Sequence, residues 1–295
     1  MAEPDTSVRP RRSVLYMPGA NERALAKAEG LPADALILDL EDAVAPDAKA
    51  EARDRVCEAA VSDRYGSREV TIRVNGAGTP WHDDDLREVA AAGPAGVVVP
   101  KVDSAGAVHA IDKALEASGA PDRTAIWAML ETPLAMLSAE EICAASERLT
   151  VLVMGTNDLA KELQAEHVPG RQPLLAGIGL CLLAARATGK VILDGVYNDI
   201  TDADGFEAEC RQGRELGFDG KTLIHPTQLE PCNRVFAPAA DEVERAGRII
   251  EAFEQAQAEG RGVVAVDGRM VENLHVEQAR RTLALAAAIE ARSRA

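Results

Sequence analysis

Eight short, β-branched apolar runs recur at regular intervals along this chain, at residues 13–17, 35–40, 70–74, 96–100, 125–130, 150–154, 190–193 and 221–224. Between most of them lie Ala-, Glu- and Arg-rich segments with helical spacing, at 21–29, 48–60, 84–91, 105–117, 139–145 and 205–216. Near-continuous apolar strands, each followed by an amphipathic helix, specify a parallel sheet covered by helices. Eight repeats in 295 residues suit closure into a (β/α)₈ TIM barrel. The structural rival is an open doubly wound sheet. GxGxxG is absent, and Gly217-Phe218-Asp219-Gly220-Lys221-Thr222 has the wrong glycine spacing for a phosphate loop and runs into a strand core. The expected organisation is a barrel over residues 1–236 and a C-terminal helical extension over 237–295, with helices at 241–259 and 276–291 and a Gly-rich, flexible segment at 260–268. A lid, an oligomer arm and simple packing on the barrel all remain open for it.

A net charge of −16 excludes nucleic acid and an anionic membrane as natural partners, because phosphate binding draws on Lys and Arg clusters. Arg9, Arg11 and Arg12, followed by Arg23 and Lys27, are the best candidate for a basic patch that serves an anionic substrate; a solvated basic end explains them equally well. Cys57, Cys143, Cys181, Cys210 and Cys232 are widely spaced and form no CxxC, so they read as reduced thiols. No apolar signal core opens the chain, and no stretch reaches the ~20 apolar residues of a membrane span, so a cytoplasmic location is expected.

Barrel enzymes carry their chemistry at the C-terminal ends of the strands. Here those ends read Asp39-Leu40-Glu41-Asp42, Arg73-Val74-Asn75, Pro100-Lys101, Glu131-Thr132, Gly155-Thr156-Asn157-Asp158, Asp194-Gly195 and His225-Pro226. One rim acid alone is well explained as a helix cap or an Arg partner. Several together repel one another unless a cation sits among them. With oxygen donors and neither Cys nor paired His at the rim, Mg²⁺ is the favoured ion and Mn²⁺ a substitute.

These segments, together with Arg12-Ser13-Val14-Leu15-Tyr16-Met17-Pro18-Gly19, Asp158-Leu159-Ala160, Gly217-Phe218-Asp219-Gly220-Lys221 and the tail Asp267-Gly268-Arg269-Met270, resemble the citrate lyase beta subunit-like branch of the HpcH/HpaI aldolase superfamily over nearly the whole chain. The resemblance implies that Glu131 and Asp158 bind Mg²⁺, that Glu41 and Asp42 support its waters, and that Arg73 grips the acyl oxygens of a CoA thioester. Arg12 and Glu131 are expected to touch substrate as well. His225 reads as a structural strand-end histidine. In Met270-Val271-Glu272-Asn273-Leu274-His275-Val276 the family's usual tail Asp is replaced by Glu272. That stretch looks most like the family's (3S)-malyl-CoA thioesterases, which implies hydrolysis to malate and CoA, with Glu272 as general base supplied by a neighbouring subunit of a homo-oligomer, a trimer or hexamer. A first-turn acid of the last helix is the plain alternative for Glu272. Three other activities stay open: carbon–carbon cleavage of malyl-CoA or citramalyl-CoA, pyruvate aldol chemistry, and a subunit active only within a lyase complex.

Overall fold

A computed structural model describes residues 8–294; the N-terminal residues in which no signal core is expected lie in part outside them. Eight parallel strands, β1 (Ser13–Pro18), β2 (Ala35–Asp39), β3 (Glu69–Arg73), β4 (Gly96–Val99), β5 (Ala125–Leu130), β6 (Leu149–Met154), β7 (Val191–Asp194) and β8 (Gly220–Leu223), close into a barrel in sequence order, with β8 pairing back onto β1. The helices of this unit are α1 (Glu22–Ala28), α2 (Lys49–Val61), α3 (His82–Ala92), α4 (Ala105–Ala117), α5 (Pro133–Leu137), α6 (Ala139–Ala144), α7 (Thr156–Glu162), α8 (Leu175–Ala187) and α9 (Ala203–Leu216). The expected TIM barrel is therefore present, with strand bounds that differ from the apolar runs by at most a residue at either end.

Three of these helices, α5, α7 and α8, are absent from the pattern read in the sequence, for physical reasons. α5 and α7 are short and directly follow the polar ends of β5 and β6, where the sequence reads as strand-end rim. The sequence of α8, LAGIGLCLLAARA, is apolar on nearly every side and so gives no amphipathic contrast.

Side chains alternate across a strand, so every second residue faces the barrel axis. Val14, Ala35, Ile37, Val98, Trp127, Met129, Val151, Val153 and Leu193 form the buried cluster inside. Continuing the same alternation by one step toward the C-terminal end turns Ile37 into Asp39 and Met129 into Glu131; Thr71 likewise leads to Arg73. The rim chemistry is thus the last layer of the core.

Behind the sheet, Asp194 and Lys221 are opposite partners on β7 and β8 and both are fully buried. Lys221 Nζ lies 3.0 Å from Asp194 and 2.7 Å from Glu209 of α9, while Arg171 Nη1 holds the other Asp194 oxygen at 2.6 Å. The glycine-flanked lysine that helped carry the family resemblance is therefore a buried tie between barrel and helix.

The chain divides into two compact units, and the second contains residues 234–294. Helix α10 (Leu229–Phe236) runs through the division; α11 (Ala240–Ala258) and α12 (Asn273–Arg294) belong to the second unit. Between them the segment expected to be a flexible arm forms a hairpin, β9 (Val264–Val266) with β10 (Arg269–Val271). This corrects the flexible reading. Asp267 and Gly268 both take positive φ, 49° and 73°, the conformation a two-residue Asp-Gly hairpin turn requires. Val266 and Val271 then bury with Phe253 and Val276.

Removing the Lys221 ammonium leaves the buried Asp194 and the partly buried Glu209 with Arg171 alone, so Lys221→Met is expected to lower unfolding free energy by about 3–5 kcal/mol in a urea titration. A loss below about 1 kcal/mol contradicts the tie.

Candidate active site

Arg73 organises the C-terminal rim. Its Nε and Nη2 each hold one oxygen of Asp39 at 2.7 Å, a two-pronged pair, and its Nη1 lies 2.7 Å from Glu41 and 3.4 Å from Asp42. The guanidinium also stacks 4.9 Å from the centre of the Tyr16 ring, whose phenol is raised above its ordinary pKa by burial. Asp39 accepts N–H bonds from Glu41 and Ala43 with the same two oxygens, which fixes the turn after β2. Lys49, buried at the start of α2, donates to the Leu40 and Glu41 carbonyls and to Asn75, and Asn75 bonds Asp85, itself paired with Arg53.

Glu131 stands at the end of β5 and Asp158 in the first turn of α7, both lining a cavity of about 400 Å³ with Tyr16, Asp39, Arg73 and Thr222. No Cys or His lines it. Gly155 allows this closeness: a Cβ there would lie 2.3 Å from the Glu131 Cβ. Burial, with the charge of Asp158 next in weight, pushes Glu131 up to about 7. Burial likewise pushes Glu41 to about 7, against the opposing pull of Arg73. Lys101 bridges the pair, its N–H donating to Glu131 Oε1 at 2.8 Å and its ammonium 3.2 Å from Asp158 Oδ1.

Five of the seven residues singled out from the sequence meet at the rim. Arg73, Glu41 and Asp42 meet in one ion cluster, and Glu131 and Asp158 share the cavity with Arg73. The carboxylates of Glu41 and Asp42 turn to Arg73 Nη1, so its fork arrives already engaged. Glu272 lies in the second unit, directly before α12; its carbonyl accepts from the His275 and Val276 N–H groups and its own N–H donates to His275 Nδ1, so the helix start is capped through the backbone and the imidazole, and the Glu272 carboxylate takes no part. Arg12 is a correction. It precedes β1, at the end of the barrel opposite the rim and roughly 20 Å away along the strand. There it is locked to Asp34 by bonds of 2.8 and 2.9 Å. Arg11 pairs with Glu69 at the same end, so this part of the basic cluster serves the barrel floor. His225, read from the sequence as structural, accepts the Thr227 N–H and caps a short turn.

The rim reading leaves out Tyr16, the engagement of Asp39 with Arg73, and Lys49. Period-two counting from the core would have found Tyr16 and Asp39; nothing in the sequence marks Lys49.

A closed parallel barrel with a carboxylate pair and an arginine at its C-terminal rim belongs to the class of TIM-barrel enzymes, which carry their chemistry at that face. Comparison with known proteins narrows it. Residues 12–226 match the HpcH/HpaI aldolase/citrate lyase family, and 173–289 match the C-C bond lyases of the TIM-barrel fold. The chain is 55% identical over 282 residues to a (3S)-malyl-CoA thioesterase of Cereibacter sphaeroides, covering 96% of each. It is 39% identical to citrate lyase subunit beta of Escherichia coli, covering 94% of each. Among solved structures, protein CitE from Mycobacterium tuberculosis in complex with magnesium, acetoacetate and coenzyme A superposes with a TM-score of 0.75 at 29% identity, over 93% of this chain and 97% of that one. The chain belongs to the HpcH/HpaI aldolase/citrate lyase family.

Glu131 and Glu41 keep their protons to about pH 7 when folded and lose them near 4.5 when unfolded. The folded state then binds more protons than the unfolded chain between those values, so stability falls as pH rises through that window. In EDTA, the wild-type Tm is expected to drop from pH 5 to pH 7.5 more steeply than that of a Glu41→Gln, Glu131→Gln variant. Equal slopes contradict the assignment.

Proposed function

We propose that this chain is a Mg²⁺-dependent hydrolase of (3S)-malyl-CoA, or a similar hydroxyacyl-CoA thioester, releasing malate and CoA. The observation that carries the reading is the Glu131–Asp158 carboxylate pair facing the Arg73 guanidinium in one cavity. The relative named (3S)-malyl-CoA thioesterase supports the substrate, and the solved relative holding magnesium and coenzyme A supports the cofactor and the thioester class.

The donor set fits the ion. Two hard oxygen ligands, one of them pushed up to about 7 by burial and its neighbour's charge, would be relieved by a divalent cation, and no thiolate or imidazole lines the cavity to compete. Among the described residues no third Asp, Glu, His or Cys completes a cluster, so the remaining positions are left to water and substrate. The same oxygen donors would take Mn²⁺. When bound, the ion supplies charge that polarises the acyl group.

Glu131 and Asp158 are the ligands in this reading. Glu41 and Asp42 hold the Arg73 fork and would support the hydration of a bound ion. Asp39 keeps one edge of Arg73 fixed, while Nη1 exchanges Glu41 for an acyl oxygen; a Glu41 titrating near neutrality gives way at little cost. Arg73 then positions the acyl group and stabilises the oxyanion that forms when water attacks the thioester carbonyl. Glu272, with its carboxylate outside the α12 cap, is the general base for that water, delivered from another copy in a trimer or hexamer by the extension over residues 237–295.

Five free cysteines suit a reducing, cytoplasmic setting; among the described residues no helix is long and apolar enough to cross a membrane.

The second reading, carbon–carbon cleavage, draws on the citrate lyase relatives and the lyase match over 173–289. Incubation with malyl-CoA and Mg²⁺ separates the two: malate with free CoA is expected, whereas glyoxylate with acetyl-CoA overturns hydrolysis in favour of cleavage. Glu131→Ala and Asp158→Ala should lose both turnover and Mg²⁺ binding. Glu272→Ala should lose turnover alone, and an active Glu272→Ala enzyme removes that residue from the mechanism.

A further inference from the structure

Lys101 touches both carboxylates of the cavity by different means. Its backbone N–H grips Glu131 Oε1 at 2.8 Å, and its ammonium stands 3.2 Å from Asp158 Oδ1. The residue follows β4 in the left-handed region, φ 53°, one of four described non-glycine residues there and the one joined to this pair. Side-chain-bearing residues avoid that conformation, and where they hold it the surrounding structure imposes it, often at functional sites. The other nearby cation is committed: Arg73 spends its nitrogens on Asp39, Glu41 and Asp42. The Lys101 side chain is half exposed and so can swing into solvent, while its N–H is anchored.

We propose that Lys101 is a positioning residue that exchanges with the divalent ion: its ammonium stands in for the metal on Asp158 when the site is empty and leaves when the ion enters. This rests on the metal reading of Glu131 and Asp158. The N–H stays on Oε1 throughout and holds the Glu131 carboxylate in place. Such an arrangement limits repulsion between two adjacent carboxylates in the empty site, at the cost of competing with Mg²⁺ for one of them.

The competition has a sign that a mere structural prop does not share. Lys101→Met keeps the N–H and the stem and deletes the charge, so Mg²⁺ binding followed by calorimetry at fixed pH and ionic strength should tighten about two- to five-fold, the range expected for losing one partly exposed ion pair. Lys101→Arg, which keeps a cation, should match wild type. Were the Met variant not to fold, Lys101→Gly, compatible with the positive φ, gives the same readout. Unchanged or weaker Mg²⁺ binding by a folded charge-deleted variant overturns the exchange role while leaving the metal site intact. Absence of Mg²⁺ binding to the wild type overturns the metal reading and this inference with it.

Discussion

One guanidinium set among more carboxylates than it can neutralise governs the rim of this barrel. Arg73 is nearly buried and clamps Asp39 with two nitrogens at 2.7 Å, and through Asp39 it fixes the turn that carries Glu41 and Asp42. The register of β2 and β3 sets Asp39 directly opposite Arg73, so the clamp is also a strand-to-strand weld. Lys49, Asn75 and Asp85 brace the same turn from behind. What the clamp cannot do is neutralise Glu131, whose nearest ammonium, that of Lys101, is paired with Asp158. Burial, with that shortfall added to it, raises the affinity of Glu131 and Glu41 for protons, and a divalent ion is a natural way to offset both.

The site is continuous with the core because both obey the same alternation. Ile37 and Met129 fill the barrel, and two residues on, Asp39 and Glu131 open the cavity. Packing that holds the apolar layer rigid therefore also holds the carboxylates, and Gly155 lets β6 come close enough to crowd Glu131. Below, Arg11 with Glu69 and Arg12 with Asp34 close the opposite end.

Much of this was legible in the chain. Eight apolar runs announced the barrel, since a buried parallel strand must be apolar on both faces. The polar residues after each run marked the rim, and their order marked the family. The sequence misled where it had no geometry to offer. Arg12 is two residues from the strand interior in sequence but at its wrong end in space. Helix α8 has no polar face to reveal its period. The glycines of the tail suggested looseness, although Asp267-Gly268 between Val-Ala-Val and Arg-Met-Val is a hairpin signal in its own right. The engagement of the Arg73 fork and the left-handed turn at Lys101 depend on tertiary neighbours that no local pattern encodes.

The central claim is that Glu131 and Asp158 form a divalent-ion site whose charge is unbalanced when empty. Its most direct test is the number of protons released when Mg²⁺ binds, obtained by calorimetry in buffers of different ionisation heat. With Glu131 near 7, binding at pH 7 should release about half a proton, and release should fade to nothing by about pH 9. Mg²⁺ binding with no proton release at pH 7, or release that persists unchanged in a Glu131→Gln protein, would contradict the account.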